Sequence, residues 1–378
     1  MKKFLKAFHN YLKKSDTFLL VLCLISAIYG TVLISSAIRY NGARSPLYVQ
    51  IGAIVIGIFL YFLFSVIDID IIADKWRVLT VFGLLLILSL RWLGSSQGGN
   101  RAWIRFMGIG IQPAELVKVV FIVTMAHLMV RVKEQGRLDH PVSVILLAGL
   151  FLAHFALIIG VSDDTGSALV YMFIFVVMIF AAGLKFYWFL GAGAAFVVLV
   201  PYIWYYFLNS NYQQRILAMF IPGEIDPTGQ GVTWQSNLSK LAISSGRIFG
   251  TGLYQGAQTQ SGDMPAQSSD FIFSVAGEEF GLIGCVVIIV LLMMIIVHCV
   301  RIGLQSQDRL GALTCIGIAA MVAFQTFENI GMCIGVAPVI GLTLPFFSYG
   351  GSSIVTLFAA MGIVSGIKMK PKPVMFLR

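Results

Sequence analysis

The sequence predicts an all-α integral membrane protein with ten transmembrane helices, both termini cytoplasmic, and a large extracytoplasmic loop between helices 7 and 8. Three observations predict it. The 378 residues are 58% hydrophobic and 11% charged, against about 45–50% and about 25% in soluble domains. Ten apolar runs approach or exceed the length of about 20 residues that a helix needs to cross the hydrocarbon core. Lysine and arginine gather in alternate connections, so the net charge of +9 reads as membrane topology and no nucleic-acid partner is expected.

Residues 1–16 form a basic arm. Phe4, Leu5, Phe8, Tyr11 and Leu12 fall on one helical face flanked by lysines, which suits an interfacial helix on anionic lipid and equally a plain topogenic segment. No small-residue cleavage site follows the first apolar run, so that run reads as an uncleaved anchor. Residues 17–207 hold helices 1–7, at about 17–38, 47–67, 78–93, 113–131, 142–160, 166–183 and 186–207. The loop spans 208–270. Residues 271–367 hold helices 8–10, at about 271–300, 310–333 and 350–367, and 368–378 form a basic tail. The eighth run is long enough to tilt or to extend beyond the bilayer. With the N-terminus inside, 17 of the 26 lysines and arginines are cytoplasmic. Cys23, Cys285, Cys299, Cys315 and Cys333 all lie in apolar runs without a CxxC pair, which argues against a disulfide or metal framework.

In this orientation the cytoplasmic connectors are short, and the conspicuous polar clusters face outward. They are Gly98–Ile104, Gln112–Lys118, Asp163–Ser167, the 208–270 loop and Leu344–Ser353. Pro113 suits the first turn of helix 4. Glu115 and Lys118 lie within mutual reach, with Lys118 roughly 7–8 Å below the helix start. A lysine there costs about 2–3 kcal/mol unless paired or hydrated; it reads either as half of a structural pair or as a charge lining a polar cavity. Asp270 opens helix 8, where an aspartate suits an N-cap. Glu278 and Glu279 follow roughly 12 Å into the membrane, a costly place for a mere scaffold, so functional carboxylates are expected here alongside any cap. Gln325, Glu328 and Asn329 on helix 9 read as interhelical hydrogen-bonding groups. Gly335, Pro338, Gly341, Pro345, Gly350 and Gly351 exclude a regular helix over 335–350, and such backbone at membrane depth must line a cavity or be buried in protein.

At these motifs the sequence resembles the SEDS family, the RodA and FtsW peptidoglycan polymerases. The resemblance runs over nearly the whole chain. It is carried by Asn100-Arg-Ala-Trp-Ile104, Gln112-Pro-Ala-Glu115 with Lys118, Asp164 with Gly166, Gln213-Gln-Arg215, Asp226-Pro227 and Gln235-Ser236. It continues through Gly246, Gly250, Gly252, Pro265, Asp270-Phe-Ile-Phe273, Gly277-Glu-Glu279, Asn329-Ile-Gly-Met332 and Leu344–Ser353, the last two nearer to RodA. The resemblance implies a multi-pass protein of the bacterial cytoplasmic membrane that polymerises lipid II at the outer face during cell-wall biogenesis, in cell shape or cell division. Its usual partner would be a class B penicillin-binding protein. By resemblance Asp270 is the catalytic residue. Arg101, Lys118, Arg215, Glu115, Asp164, Ser348 and Ser352 are the candidate substrate-binding residues.

In the implied reaction, a GlcNAc 4-hydroxyl displaces undecaprenyl pyrophosphate from C1 of a MurNAc with inversion, Asp270 acting as general base and Arg101, Lys118 or Arg215 stabilising the leaving group. A divalent cation, Mg²⁺ or Mn²⁺, is compatible with this chemistry and Asp270 is a candidate ligand, but no ligand set in the sequence specifies one. The chain departs from the family pattern at Pro265-Ala-Gln-Ser-Ser269, where the family commonly has Pro-Glu-x-His-Thr. Asp163 stands where a proline is usual, and Glu328 is atypical. A flippase for the same lipid would suit charged residues beside broken backbone, but no internal repeat is evident and the polar residues sit on one side. A non-enzymatic assembly scaffold would suit Ala266 and Ser268.

Overall fold

The structure, a computed structural model, describes residues 15–97, 100–106, 109–206 and 210–370. Residues 1–14 of the basic arm, Gly98 and Gly99, residues 208 and 209 of the loop and the tail from 371 onward lie outside the described residues.

Ten described helices are long and apolar enough to cross a membrane. They are α1 (Thr17–Ala37), α2 (Ser45–Val66), α3 (Trp76–Leu93), α4 (Pro113–Glu134), α5 (Pro141–Ser162), α6 (Thr165–Ala182), α7 (Phe186–Tyr206), α8 (Ile272–Gln305), α9 (Arg309–Ile334) and α10 (Gly351–Met369). Their ends lie within about five residues of the apolar runs, because local chemistry sets them. Asp16, Asp164 and Asp308 accept backbone N–H groups at the starts of α1, α6 and α9. Proline sits in the first turn of α2, α4 and α5.

Three features go beyond that outline. Between α3 and α4 the chain forms an antiparallel sheet, β1 (Gly94–Gln97), β2 (Asn100–Phe106) and β3 (Ile109–Ile111), in the order β1-β2-β3, with Ile104 opposite Gly94 and Ile111. The 208–270 segment carries helices at Ser210–Phe220, Pro222–Ile225, Trp234–Gly246 and Ala257–Ser261. Finally, α8 is broken rather than merely long: Gly281 has φ 65° and ψ −160°. A Cβ there would sit 2.4 Å from the Gly250 nitrogen, so only glycine lets the loop backbone approach. Leu282 N then donates to Arg247 O at 2.8 Å, and Thr251 N to Glu278 O at 2.9 Å.

The core lies among α4, α9 and α10, while α7 has no buried residue. Residues 335–350 are irregular, and Ile340, Leu342, Leu344, Phe346 and Phe347 within them are buried. At the end assigned to the cytoplasm, Asp16 meets His298 at 2.5 Å and Lys368 at 3.1 Å. Lys370 there bridges Asp68, Asp70 and Asp308 at 3.1, 2.6 and 3.0 Å.

Candidate functional site

At the opposite end, the turn before α8 holds Asp270. Phe271 occupies the N-cap position and no side chain caps the helix, so the expected capping role does not fall to Asp270. Asp270 N donates to Ala266 O at 2.9 Å across a turn in which Ala266 takes φ 53°. Asn329 of α9 donates through Nδ2 to Asp270 O and to Leu342 O, both at 2.7 Å. Tyr349 N donates to Ser268 O at 2.8 Å, and Ser348 Oγ donates to Ser269 O. Three consecutive carbonyls are thus clamped by α9 and the irregular segment, which fixes where the carboxylate emerges. A Cβ on Gly341, which has φ 73°, would lie 3.4 Å from Asp270 Oδ2. Asp270 is half-buried. Burial pushes its carboxyl up to about 6; a hydrogen bond from the Ser269 side chain opposes this, and the charge of Asp164 adds to it.

Asp164 caps α6, accepting from Ser167 N at 2.9 Å, Ser167 Oγ at 2.7 Å and Gln112 Nε2 at 2.7 Å. Burial raises its carboxyl above the ordinary range, with the Ser167 backbone and hydroxyl acting against it. Its neighbour Asp163 has φ 52°, a conformation that a proline ring held near −65° cannot adopt. Lys118 is fully buried with Nζ 2.6 Å from Glu115 Oε1, and this pair lies within electrostatic range of Asp164. Ser352 Oγ accepts from Gln112 N at 3.3 Å, and Ser348 Oγ also accepts from Leu344 N at 2.8 Å, so both serines stitch backbone together. Arg215 donates to Val339 O at 2.7 Å and lies over the Tyr212 ring. Arg101 is exposed on β2.

Glu278 and Glu279, expected as functional carboxylates, are held by donors from other elements. Glu278 accepts from Gln258 N, Thr259 N and Thr259 Oγ1 at 2.8, 2.8 and 2.7 Å. Glu279 accepts from Ser36 Oγ at 2.6 Å and Gln260 Nε2 at 3.3 Å. Their partners come from a returning loop and from α1, donors that no local pattern in α8 announces, while Glu279 Oε2 is buried with no partner among the described residues. Sequence reasoning missed Lys240. It lies over the C-terminal end of α9, where a Cβ on Gly335 would be 3.5 Å from its Nζ, and the negative pole of α9 favours a cation there. No motif marks Lys240.

The site therefore combines a fixed, half-buried carboxylate of raised basicity, a buried acidic neighbour, and the loop cations Arg215 and Lys240 against the segment that lines it. Among the described residues, no three His, Cys, Asp or Glu side chains converge as a metal cage.

The sequence model of the FtsW, RodA and SpoVE family, described as cell cycle protein, matches residues 15–372. A probable peptidoglycan glycosyltransferase FtsW of Geobacter sp. (strain M18) is 32% identical over 369 residues, covering 94% of this chain and 97% of that protein. Stage V sporulation protein E of Bacillus subtilis (strain 168) is 30% identical over 365 residues, covering 93% and 96%. Among solved structures, a chain of a peptidoglycan synthase complex that coordinates polymerization and crosslinking superposes with a TM-score of 0.79 at 29% identity, covering 94% of this chain and 97% of that one. The rod shape determining protein RodA of Thermus thermophilus superposes with a TM-score of 0.67 at 26% identity, covering 94% and 96%.

Proposed function

From the premise that this chain belongs to the FtsW, RodA and SpoVE family of cell cycle proteins, we propose that it is a peptidoglycan glycosyltransferase that polymerises lipid II at the outer face of the bacterial cytoplasmic membrane, beside a class B penicillin-binding protein. The observation that carries the mechanism is Asp270: a carboxylate released from helix capping, with its backbone clamped from two sides. The C1–O4 bond forms as the C1–oxygen bond to pyrophosphate breaks. The hydroxyl proton passes to Asp270, and the electron pair leaves with the pyrophosphate. A base near 6 is mostly ionised at neutral pH, yet a better proton acceptor than an ordinary aspartate, which suits general-base work.

Of the candidate cations, Arg215 and Lys240 come from the outer loop against the 335–341 segment, within reach of an arriving headgroup. Lys118 is buried against Glu115, so in this conformation it acts on substrate only through the Asp164 network. Purified full-length protein given labelled lipid II should yield glycan strands, and D270N should not. Leaflet transfer without polymer would replace this reading with a flippase, and neither product would leave an assembly scaffold.

A further inference from the structure

The irregular segment that clamps the Asp270 turn must itself be held, because non-helical backbone at membrane depth has to find its hydrogen bonds within the protein. Packing places part of it. Phe346 and Phe347 are fully buried, edge-on to Phe358 of α10 and to Tyr29 of α1. Packing is non-directional, so it leaves the course of the next three residues open. Gln50 supplies that direction. It lies in α2, roughly 7–8 Å along the axis from the start of that helix, and is 0% exposed. Gln50 Nε2 donates to Ser348 O at 3.3 Å, and Gly350 N donates to Gln50 Oε1 at 3.3 Å. One carboxamide therefore straddles Tyr349. An amide carries both a donor and an acceptor, which a carboxylate, an ammonium or an apolar side chain does not. The residues it orients are the ones that reach the Asp270 turn. Ser348 Oγ donates to Ser269 O, and Tyr349 N donates to Ser268 O at 2.8 Å.

We propose that Gln50 is a positioning residue: from α2 it fixes the Ser348–Gly350 backbone, and through Ser348 and Tyr349 it sets where the Asp270 carboxylate emerges. Among the described residues Gln50 makes no hydrogen bond to Asp270 itself, so it acts only through the clamp. Without its two bonds the Ser348 hydroxyl and the Tyr349 amide are free to turn away, and the Ser268 and Ser269 carbonyls lose their partners. The effect on rate rests on the glycosyl-transfer reading; the effect on the turn does not.

The test uses purified full-length protein and labelled lipid II. Q50M keeps the length of the side chain and removes both hydrogen bonds, and S348A removes the hydroxyl link to Ser269. Turnover per folded molecule of Q50M should fall by about tenfold or more, with KM for lipid II within about twofold of wild type. The acid limb of its rate should move from about 6 toward the ordinary aspartate value of about 3.9. A loosened turn admits water to a carboxyl that burial raises and on which Asp164 and Glu328 also act by charge. A purely structural role would lower the amount of folded protein and leave the limb in place. The double variant Q50M/S348A should be about as slow as Q50M, because both changes break one chain of contacts. Hydrogen exchange gives a readout that needs no activity: the Tyr349 and Gly350 amides and those of the 269–271 turn should exchange faster in Q50M than in wild type. If Q50M does not fold, Q50L, which also lacks both bonds, carries the same measurements. An unmoved acid limb, unchanged exchange, or losses that multiply in the double variant overturn the positioning role. Wild type that makes no polymer, with the turn still opened in Q50M, overturns the proposed activity while the clamp stands.

Discussion

The two ends of the helical bundle treat their carboxylates in opposite ways. At the end assigned to the cytoplasm, Asp16 has His298 and Lys368, while Asp68, Asp70 and Asp308 share Lys370. Burial pulls the Lys370 ammonium down, but hydrogen bonds to Asp70, Asp308 and Asp68 outweigh it and hold it above its ordinary range. At the other end Asp270, Asp164 and Glu328 have no ion pair among the described residues, and the buried lysine is committed to Glu115. Paired charge fixes loops. Charge left unpaired is costly to the empty protein and is available to a substrate, which is where perturbed carboxylates signal function.

The largest effect should come from the unpaired end. Asp270→Asn keeps the size of the side chain and removes the base, so polymer formation should fall by about 10²–10⁴-fold, with the unfolding midpoint unchanged or raised. Polymer at wild-type rate would place the base elsewhere and dissolve the contrast between the ends. Next is Gly341→Ala. Its left-handed backbone costs a non-glycine residue about 1–2 kcal/mol, and the new methyl would lie in van der Waals contact with Asp270 Oδ2. The rate per folded molecule should drop by about tenfold, a cost of about 1.4 kcal/mol in the barrier. Unchanged turnover would mean the carboxylate swings freely.

The pH profile sharpens the same point. Asp270 works ionised, so the rate should climb as pH rises through about 6. Asp164 raises that value, so D164N should move the acid limb to lower pH; a limb that stays put would separate the two carboxylates electrostatically. Stability runs the other way. A carboxyl raised in the folded state favours its protonated form, so this group's contribution is fully present below the unfolded value of about 3.9 and is lost as pH rises through about 6. D270N should flatten that part of the stability curve.

How much of this was legible in the sequence follows from the range of each interaction. The ten spans could be read because lipid burial is a property of runs of residues. The break at Gly281 was not: it exists because Gly250 approaches from a loop some thirty residues earlier. The partners of Glu278 and Glu279 were not legible for the same reason, since their donors, Thr259, Gln258, Ser36 and Gln260, arrive from other elements. The sheet at 94–111 lies in a short polar connector whose pattern gives no clean alternation. Asn329 was expected to bond across helices, and it does reach outside its own helix, to the carbonyls of Asp270 and Leu342. Glu328 one position earlier finds no donor, a difference that depends on side-chain direction and not on spacing.

The smallest effect should lie at the paired end, and it tests whether pairing there is only structural. Lys370→Ala removes the single cation shared by Asp68, Asp70 and Asp308, which belong to the α2–α3 and α8–α9 connections. Partly solvated pairs are each worth about 0.2–1 kcal/mol, so the network should contribute about 1 kcal/mol and the unfolding midpoint should fall by a few degrees. Turnover per folded molecule should not change, because the turn that carries Asp270 is held by Asn329 on the Asp270 carbonyl and Ser348 on the Ser269 carbonyl, neither of which touches Lys370. The charge left behind decides what a different result would mean. Three uncompensated carboxylates repel the α2–α3 and α8–α9 connections from each other, so the strain acts on the far end of α9, the helix that carries Asn329 and Glu328. A loss of activity larger than the loss of folded protein would therefore show that the two ends are coupled through α9, and that the division between a structural end and a chemical end is one of charge pairing alone.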